Sequence, residues 1–310
     1  MEPQRGQATV EWVGLVLLVS VVLTGLVAAG ARVPGTALAR AVGEKILCAA
    51  SMASSCLDEP SLIAAYGSEV GGLARRKMPS LAFERGSRAL PVDFRRCRET
   101  ECADGEEKGL VLRSDAGNPV MAFVRAVDCR PGVLSRPLRE GADCSGERAG
   151  YLYLQYWLYY ADSATLRGVP IAGERGFHRD DWESVQIRIG PDGEVHQRAS
   201  SHHGFNHTKG IANWGSDVGI AALRGAAELL GARPRGGWGG ETGWLHVSGG
   251  SHAGNAKDGP RPIDRATPGA RVRLVPLERL LAEGRGRPGF AVSPPWRKRV
   301  WRDPEAQGTE

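Results

Sequence analysis

The sequence lacks the short motifs that mark common catalytic and metal centres. It contains no phosphate-binding glycine loop, no nucleophile elbow and no H-E-x-x-H helix, which weakens an enzymatic interpretation without excluding one. It also contains no C-x-x-C pair, so neither a zinc ribbon nor a thioredoxin-like redox site is indicated. No internal repeat is present either.

Clusters of basic residues are missing as well. The formal net charge is +5, but the arginines are spread along the chain instead of forming one stripe or tail. Nucleic-acid binding needs a concentrated positive surface that follows the phosphate backbone. We therefore expect no nucleic-acid partner.

Charge is absent from one long stretch near the N-terminus. Residues 12–31 are 20 consecutive uncharged residues. At ~1.5 Å per residue, such a helix spans the ~30 Å hydrocarbon core of a bilayer. We expect a single-pass anchor in the cell membrane, with a cleaved signal peptide ending near Ala29–Ala31 as the alternative.

The residues just before this stretch resemble a known leader. Gly6 is followed five positions later by Glu11 and then by the apolar run. This pattern is similar to the leader of type IV pilin-like proteins, in particular the Flp and TadE-type pseudopilins. The resemblance implies cleavage after Gly6, Glu11 at the fifth mature position, and pilus or secretion machinery as possible partners.

Six cysteines follow the apolar stretch, an even number at short spacings. Disulfides persist in oxidising compartments, so we expect the bulk of the chain to be extracytoplasmic. Six cysteines allow 15 connectivities, and sequence neighbours suggest three local pairs. These pairs are Cys48–Cys56, Cys97–Cys102 and Cys129–Cys144.

The pattern of elements predicts a mainly β fold of the α+β class, with an extracytoplasmic domain of strands and turns behind an N-terminal transmembrane helix and a short helical stalk. Residues 151–162 are apolar and aromatic on both faces, as in a covered central strand. The predicted divisions are a leader and transmembrane helix (1–31), a helical stalk or adaptor (32–90), the β domain (91–303) and a tail (304–310).

Charged side chains crowd the start of one predicted strand. All seven histidines lie between His178 and His252, and several carboxylates lie among them. With a period of two, Asp181 and Glu183 share the face of Val185, which belongs in the core. A divalent cation, Ca²⁺, Mg²⁺ or Mn²⁺, is the simplest partner for such carboxylates. A salt bridge to Arg179 or Arg188 is the alternative.

The stretch "GFHRDDWESVQI" resembles the Gly-His-Arg-His-Asp-Trp-Glu heptad of the necrosis-and-ethylene-inducing-peptide-like toxins. It is also similar to the His-Glu-Gly-Asp-Trp-Glu version of a vacuolar-sorting-associated family. The blocks "LQYWLYYAD", "RASSHHG" and "LHVSGGSHAGN" extend the resemblance over residues 150–260. Phe177 and Asp180 depart from the toxin heptad, so toxin activity is not implied.

The resemblance implies a β-sandwich with a divalent cation in an acidic cleft. Its implied metal ligands are Asp162, His178, Asp181 and Glu183. We expect Asp180, His203 and His252 to line the same cleft, with His203 preferred to its neighbour because adjacent strand residues face opposite sides.

These observations favour a membrane-anchored surface module that binds a polar lipid head group or a glycan at a cation cleft. A metal-dependent hydrolase, in which the metal activates water, is one alternative. A structural minor pilin with a non-catalytic cleft is the other.

Overall fold

The computed structural model describes residues 59–85, 87, 89–95, 120–133, 136–164, 177–201, 204–207, 237–256, 263–277 and 290–307. The predictions on Gly6, Glu11, residues 12–31, Cys48, Cys56, Cys97, Cys102 and His203 lie outside these residues. In the described part, no helix is both long enough and apolar enough to cross a membrane.

Most regular structure in the described residues is β. The helices are α1 (Glu59–Arg76), α2 (Arg136–Arg139) and α3 (Arg299–Arg302). The strands are β1 (Ser80–Glu84), β2 (Met121–Asp128), β3 (Leu152–Ala164), β4 (Phe177–Ile189), β5 (Val195–Ser201), β6 (Gly204–Asn206), β7 (Gly239–Gly240), β8 (Trp244–Val247), β9 (Gly254–Asn255), β10 (Ile263–Thr267) and β11 (Arg273–Pro276). The prediction of a mainly β, α+β chain is confirmed.

The strands form two open sheets. The small sheet has the order β10-β1-β8-β9, and the large sheet has the order β11-β2-β3-β4-β5-β6, with β7 paired to β5. The pairs β1–β8 and β11–β2 are parallel, and the other pairs are antiparallel. The long β3–β4 pair lies inside the large sheet and carries the predicted site.

One hydrophobic core joins the two sheets. Phe83 and Leu245 of the small sheet belong to the same buried cluster as Leu154, Tyr156 and Val185 of the large sheet. A second buried cluster covers the other face of the large sheet. Strand β3 is therefore covered on both sides, as its apolar and aromatic sequence predicts.

Helix α1 packs directly on this core. Its backbone breaks at Gly67, where φ is 80°, and the two halves approach so closely that a Cβ on Gly71 would lie 2.7 Å from the backbone of Leu62. The Tyr66 hydroxyl donates to the Val124 carbonyl oxygen at 2.6 Å. Residues 59–76 thus belong to the core of the β domain.

Two predicted boundaries differ from the structure. Residues 80–84, expected within the helical stalk, form strand β1 between β8 and β10. Residues 304–307, expected in a tail, pack on the large sheet: the Pro304 carbonyl accepts from Arg198 at 2.6 Å, and the Gln307 carbonyl accepts from the Phe205 amide at 2.9 Å. We call residues 290–307 the C-terminal segment.

Candidate ligand site on strand β4

The two carboxylates of the strand lie on its core face. In register, Asp181 pairs with Tyr160 of β3, and Glu183 pairs with Leu158. Tyr160, Leu158 and Val185 are members of the inter-sheet core and are fully buried. The predicted face is confirmed: both acidic side chains lie on the core face of β4, in the first half of this strand.

Asp181 is hydrogen-bonded to a histidine from a distant loop. The Nδ1 atom of His252, which follows β8, lies 2.8 Å from Asp181 Oδ2. His252 is 1% exposed, and its ring stacks on Tyr160 with centroids 3.9 Å apart and planes 5° from parallel. The expectation that His252 lies with the carboxylates agrees with this geometry.

The loop holds His252 in an unusual backbone conformation. Its φ is 53°, in the left-handed region that non-glycine residues seldom adopt. The loop is fixed at both ends, because the Gly250 carbonyl accepts from Ser163 at 3.3 Å and the Ser248 amide donates to the Ala253 carbonyl at 3.0 Å. In this strained conformation the imidazole of His252 faces Asp181.

Burial and a neighbouring negative charge both act on the carboxyl group of Glu183. Burial raises the pKa of Glu183 well above its ordinary value, and the negative charge of Asp181 raises this pKa further. A hydrogen bond donated by the Ser200 hydroxyl and the positive charge of Lys298 offset part of the increase in the Glu183 pKa. Glu183 keeps some contact with solvent, although protein atoms crowd its carboxyl group.

The salt-bridge alternative fails for the described residues. Arg188 pairs with Glu305 at 3.0 Å, and Arg179 is exposed. In the part of the chain that the structure describes, no lysine or arginine forms an ion pair with Asp181 or Glu183. Among the described residues, the side-chain partner of Asp181 is therefore the His252 imidazole, and that of Glu183 is the Ser200 hydroxyl.

The four metal ligands implied by the family resemblance do not come together. Among the described residues, no group of three or more His, Cys, Asp or Glu side chains is placed to hold a metal ion. Asp162 pairs in register with Arg179 and His178 pairs with Ser163, while the His178 ring contacts the Arg179 carbonyl oxygen at 3.3 Å. The implied cation stays a prediction.

Asp180 serves a different purpose from the predicted cleft lining. Its Oδ1 accepts a hydrogen bond from the Tyr159 hydroxyl at 2.7 Å, and its Oδ2 accepts one from the Ala291 amide at 2.7 Å. Its φ of 57° is also left-handed. Asp180 thus anchors the C-terminal segment to β3 and β4, and it lies on the opposite face of β4 from Asp181.

Comparisons with known proteins give two similar solved structures. NLPPya in complex with glucosamine is 18% identical, with 74% of this chain and 86% of that chain covered and a TM-score of 0.34. A structure described as a toxin fold for microbial attack and plant defence is 15% identical, with 67% and 74% covered and a TM-score of 0.28. At these TM-scores the likeness assigns no ligand to this chain. No family model and no curated protein matches it.

Sequence reasoning missed three residues of the site. Tyr160 pairs with Asp181, Ser200 bonds Glu183, and Lys298 contributes positive charge. Strand register would have found Tyr160, because the aromatic strand precedes β4 in an antiparallel pair. No local signal marks Ser200 or Lys298, which reach the site through tertiary packing alone.

Of the predicted disulfides, Cys129–Cys144 is present in the described residues, with a Cα–Cα distance of 5.1 Å. Cys129 packs with Val127 and Tyr153 at the other end of β3. The disulfide therefore stabilises the scaffold at a distance from the acidic site.

Proposed function

We propose that this domain binds a polar ligand carrying a positive charge, an amino glycan or an amine-bearing lipid head group, at Asp181 and Glu183. The observation that supports the proposal is the pair of neighbouring carboxylates on a core face without a lysine or arginine ion pair in the described residues. Buried carboxylates need a compensating positive group, and a ligand ammonium provides one.

A ligand ammonium would take the place of a proton. Because burial and Asp181 both raise the pKa of Glu183, this carboxyl group keeps its proton to a higher pH than an exposed glutamate does. An ammonium beside the two carboxylates favours their ionised forms and strengthens its own hydrogen bonds to them. Because Glu183 is partly exposed to solvent, a ligand ammonium can reach the carboxylates from that side.

The same proposal includes the place of the domain in the cell. The uncharged N-terminal stretch would hold the chain in a membrane, and the Cys129–Cys144 disulfide is compatible with an oxidising compartment outside the cytoplasm. A cation-binding module displayed there meets head groups and glycans directly.

Calorimetry on the full-length protein in detergent tests this function. We expect glucosamine to bind at least about tenfold more tightly than N-acetylglucosamine, whose nitrogen carries no charge, which corresponds to ~1.4 kcal/mol. The double variant Asp181→Asn, Glu183→Gln should lose this preference, whereas Glu194→Gln, at an exposed glutamate, should keep it. Phosphoethanolamine serves as the head-group arm and separates the two ligand sources.

Two outcomes would contradict the proposal. Equal affinity for glucosamine and N-acetylglucosamine, with no binding of phosphoethanolamine, would remove the role of ligand charge. Binding of Ca²⁺, Mg²⁺ or Mn²⁺ by the wild type but not by the double variant, without binding of any amine, would instead support the metal prediction.

A further inference from the structure

The imidazole of His252 has one nitrogen in use and one free. Its Nδ1 lies 2.8 Å from Asp181 Oδ2, whereas its Nε2 is buried and has no hydrogen-bond partner in the described part of the chain. Buried polar atoms without partners are uncommon in folded proteins, and each one calls for an explanation.

Asp181 decides which nitrogen carries the proton. An ionised carboxylate only accepts hydrogen bonds, so the imidazole nitrogen that faces it is the donor. In the neutral ring the other nitrogen then presents a lone pair. When the ring is neutral, the Nε2 of His252 is therefore an acceptor, and its direction is fixed by the carboxylate–histidine pair.

A second unused polar atom lies on the ring stacked against His252. The Tyr160 hydroxyl is buried and also has no hydrogen-bond partner among the residues that the structure describes. Burial and the negative charges of Glu183 and Asp181 raise the pKa of Tyr160, so its hydroxyl keeps its proton. Two buried polar atoms on parallel rings beside the acidic pair thus have no hydrogen-bond partner in the described part of the chain.

Packing alone does not account for this arrangement. The left-handed φ of 53° at His252 is unfavourable for a histidine. Burying an imidazole nitrogen and a phenol hydroxyl without partners is unfavourable too. Three unfavourable features on two stacked residues, His252 of the loop and Tyr160 of β3, lie next to two carboxylates and indicate a site prepared for a ligand.

We infer that His252 Nε2 and the Tyr160 hydroxyl form a subsite for a ligand hydroxyl adjacent to the positively charged group. This inference rests on the proposed function, since Asp181 and Glu183 receive the charge. A hydroxyl donates one hydrogen bond and accepts others, so it fits an acceptor and a donor together. His252 is then the residue that distinguishes hydroxylated amines from plain amines.

Two single substitutions isolate the subsite. In His252→Asn the side-chain amide can still donate to Asp181, and asparagine tolerates a left-handed backbone, but the Nε2 acceptor is gone. Tyr160→Phe removes only the hydroxyl. The probes are glucosamine and cyclohexylamine, two ring amines of which only the first carries hydroxyls.

Calorimetry on the full-length protein gives the first measurement. We expect the wild type to bind glucosamine more tightly than cyclohexylamine. His252→Asn should weaken glucosamine binding about three- to tenfold and leave cyclohexylamine unchanged, in line with the loss of one neutral hydrogen bond. Equal losses for both amines would indicate a purely structural role and overturn the inference.

Nitrogen NMR of ¹⁵N-histidine-labelled protein gives the second measurement. The His252 signals are identified by their loss in His252→Asn. We expect a protonated Nδ1 and an unprotonated Nε2 that shifts when glucosamine is added but not when cyclohexylamine is added. A proton on Nε2 overturns the inference and leaves the proposed function standing. Failure of the wild type to bind either amine overturns both.

Discussion

The charged side chains on the two faces of strand β4 have different kinds of neighbour. On the front face, formed by Asp181, Glu183 and Val185, two like charges adjoin, and burial raises the pKa of Glu183. On the back face, Arg188 pairs with Glu305 of the C-terminal segment at 3.0 Å. The front face therefore brings together two acidic side chains, whereas the back face pairs an acidic side chain with a basic one.

On the back face, Glu305 and Arg198 form a network of hydrogen bonds and ion pairs within the chain. Glu305 accepts hydrogen bonds from the Tyr153 hydroxyl at 2.8 Å and from Trp238 Nε1 at 2.6 Å. Arg198 is fully buried and donates to Gln186 at 2.9 Å, and burial lowers its pKa to about 9. These groups meet partners of opposite charge or polarity that the same chain supplies.

The contrast separates stability from function. A network that neutralises itself inside the chain stabilises the native state when all its members are present. A pair of like charges with few internal partners opposes folding unless a proton or a ligand compensates. We therefore assign the back face to stability and the front face to ligand binding, and three variants test that division.

The largest effect is expected for Glu305→Ala. It removes the partner of Arg188 and leaves the Tyr153 and Trp238 donors without an acceptor. Breaking a buried ion pair on one side destabilises by about 3–5 kcal/mol, and we expect ~4 kcal/mol in urea unfolding followed by tryptophan fluorescence. Glu194→Ala, at a side chain that is 69% exposed, is the control and should change stability by under ~0.5 kcal/mol. A loss below ~1 kcal/mol for Glu305→Ala would deny the back face its structural role.

A smaller effect is expected when the disulfide beside this network is removed. Cys129 and Cys144 are 15 residues apart, and closing a loop of that length stabilises by about 3 kcal/mol. The Cys129→Ala, Cys144→Ala variant should lose ~3 kcal/mol in the same unfolding assay. Reducing agent should lower the stability of the wild type by more than that of the variant. If it lowers both equally, the stabilising disulfides lie elsewhere in the chain.

The sequence predicts the front face well because strand periodicity is local. Alternation along β4 places Asp181 and Glu183 with Val185, and the uninterrupted apolar run of β3 indicates burial on both sides. Both features depend only on neighbouring residues. They hold in the structure because β3 and β4 pair over nearly their whole length.

The partners of these residues could not be predicted in the same way. His252 lies 71 residues from Asp181, and Glu305 lies 117 residues from Arg188, so no periodic pattern connects them. In the sequence, Asp180 resembles the other acidic residues of the cluster. In the structure, its left-handed backbone and its hydrogen bond from the Ala291 amide place it on the back face. Strand β1 has only five residues, too few for periodicity to separate a strand from a helix.

The smallest effect, and one of opposite sign, is expected for Glu183→Gln. The Glu183 pKa is raised in the folded state above the ~4.3 of an unfolded glutamate. The folded state therefore binds the proton more tightly, so this group's contribution to stability is complete below about pH 4 and is lost as pH rises through the folded pKa. Glutamine has no proton to lose and can still accept from Ser200.

Urea unfolding of wild type and Glu183→Gln at pH 4 and pH 8 measures this difference. We expect equal stabilities at pH 4 and a higher stability for the variant at pH 8, because glutamine carries no charge at either pH. The gain should shrink when glucosamine saturates the wild type, because the ligand then supplies the missing positive charge. A loss of stability at pH 8, comparable with that of Glu305→Ala, would place Glu183 among the internally paired charges and erase the distinction between the two faces.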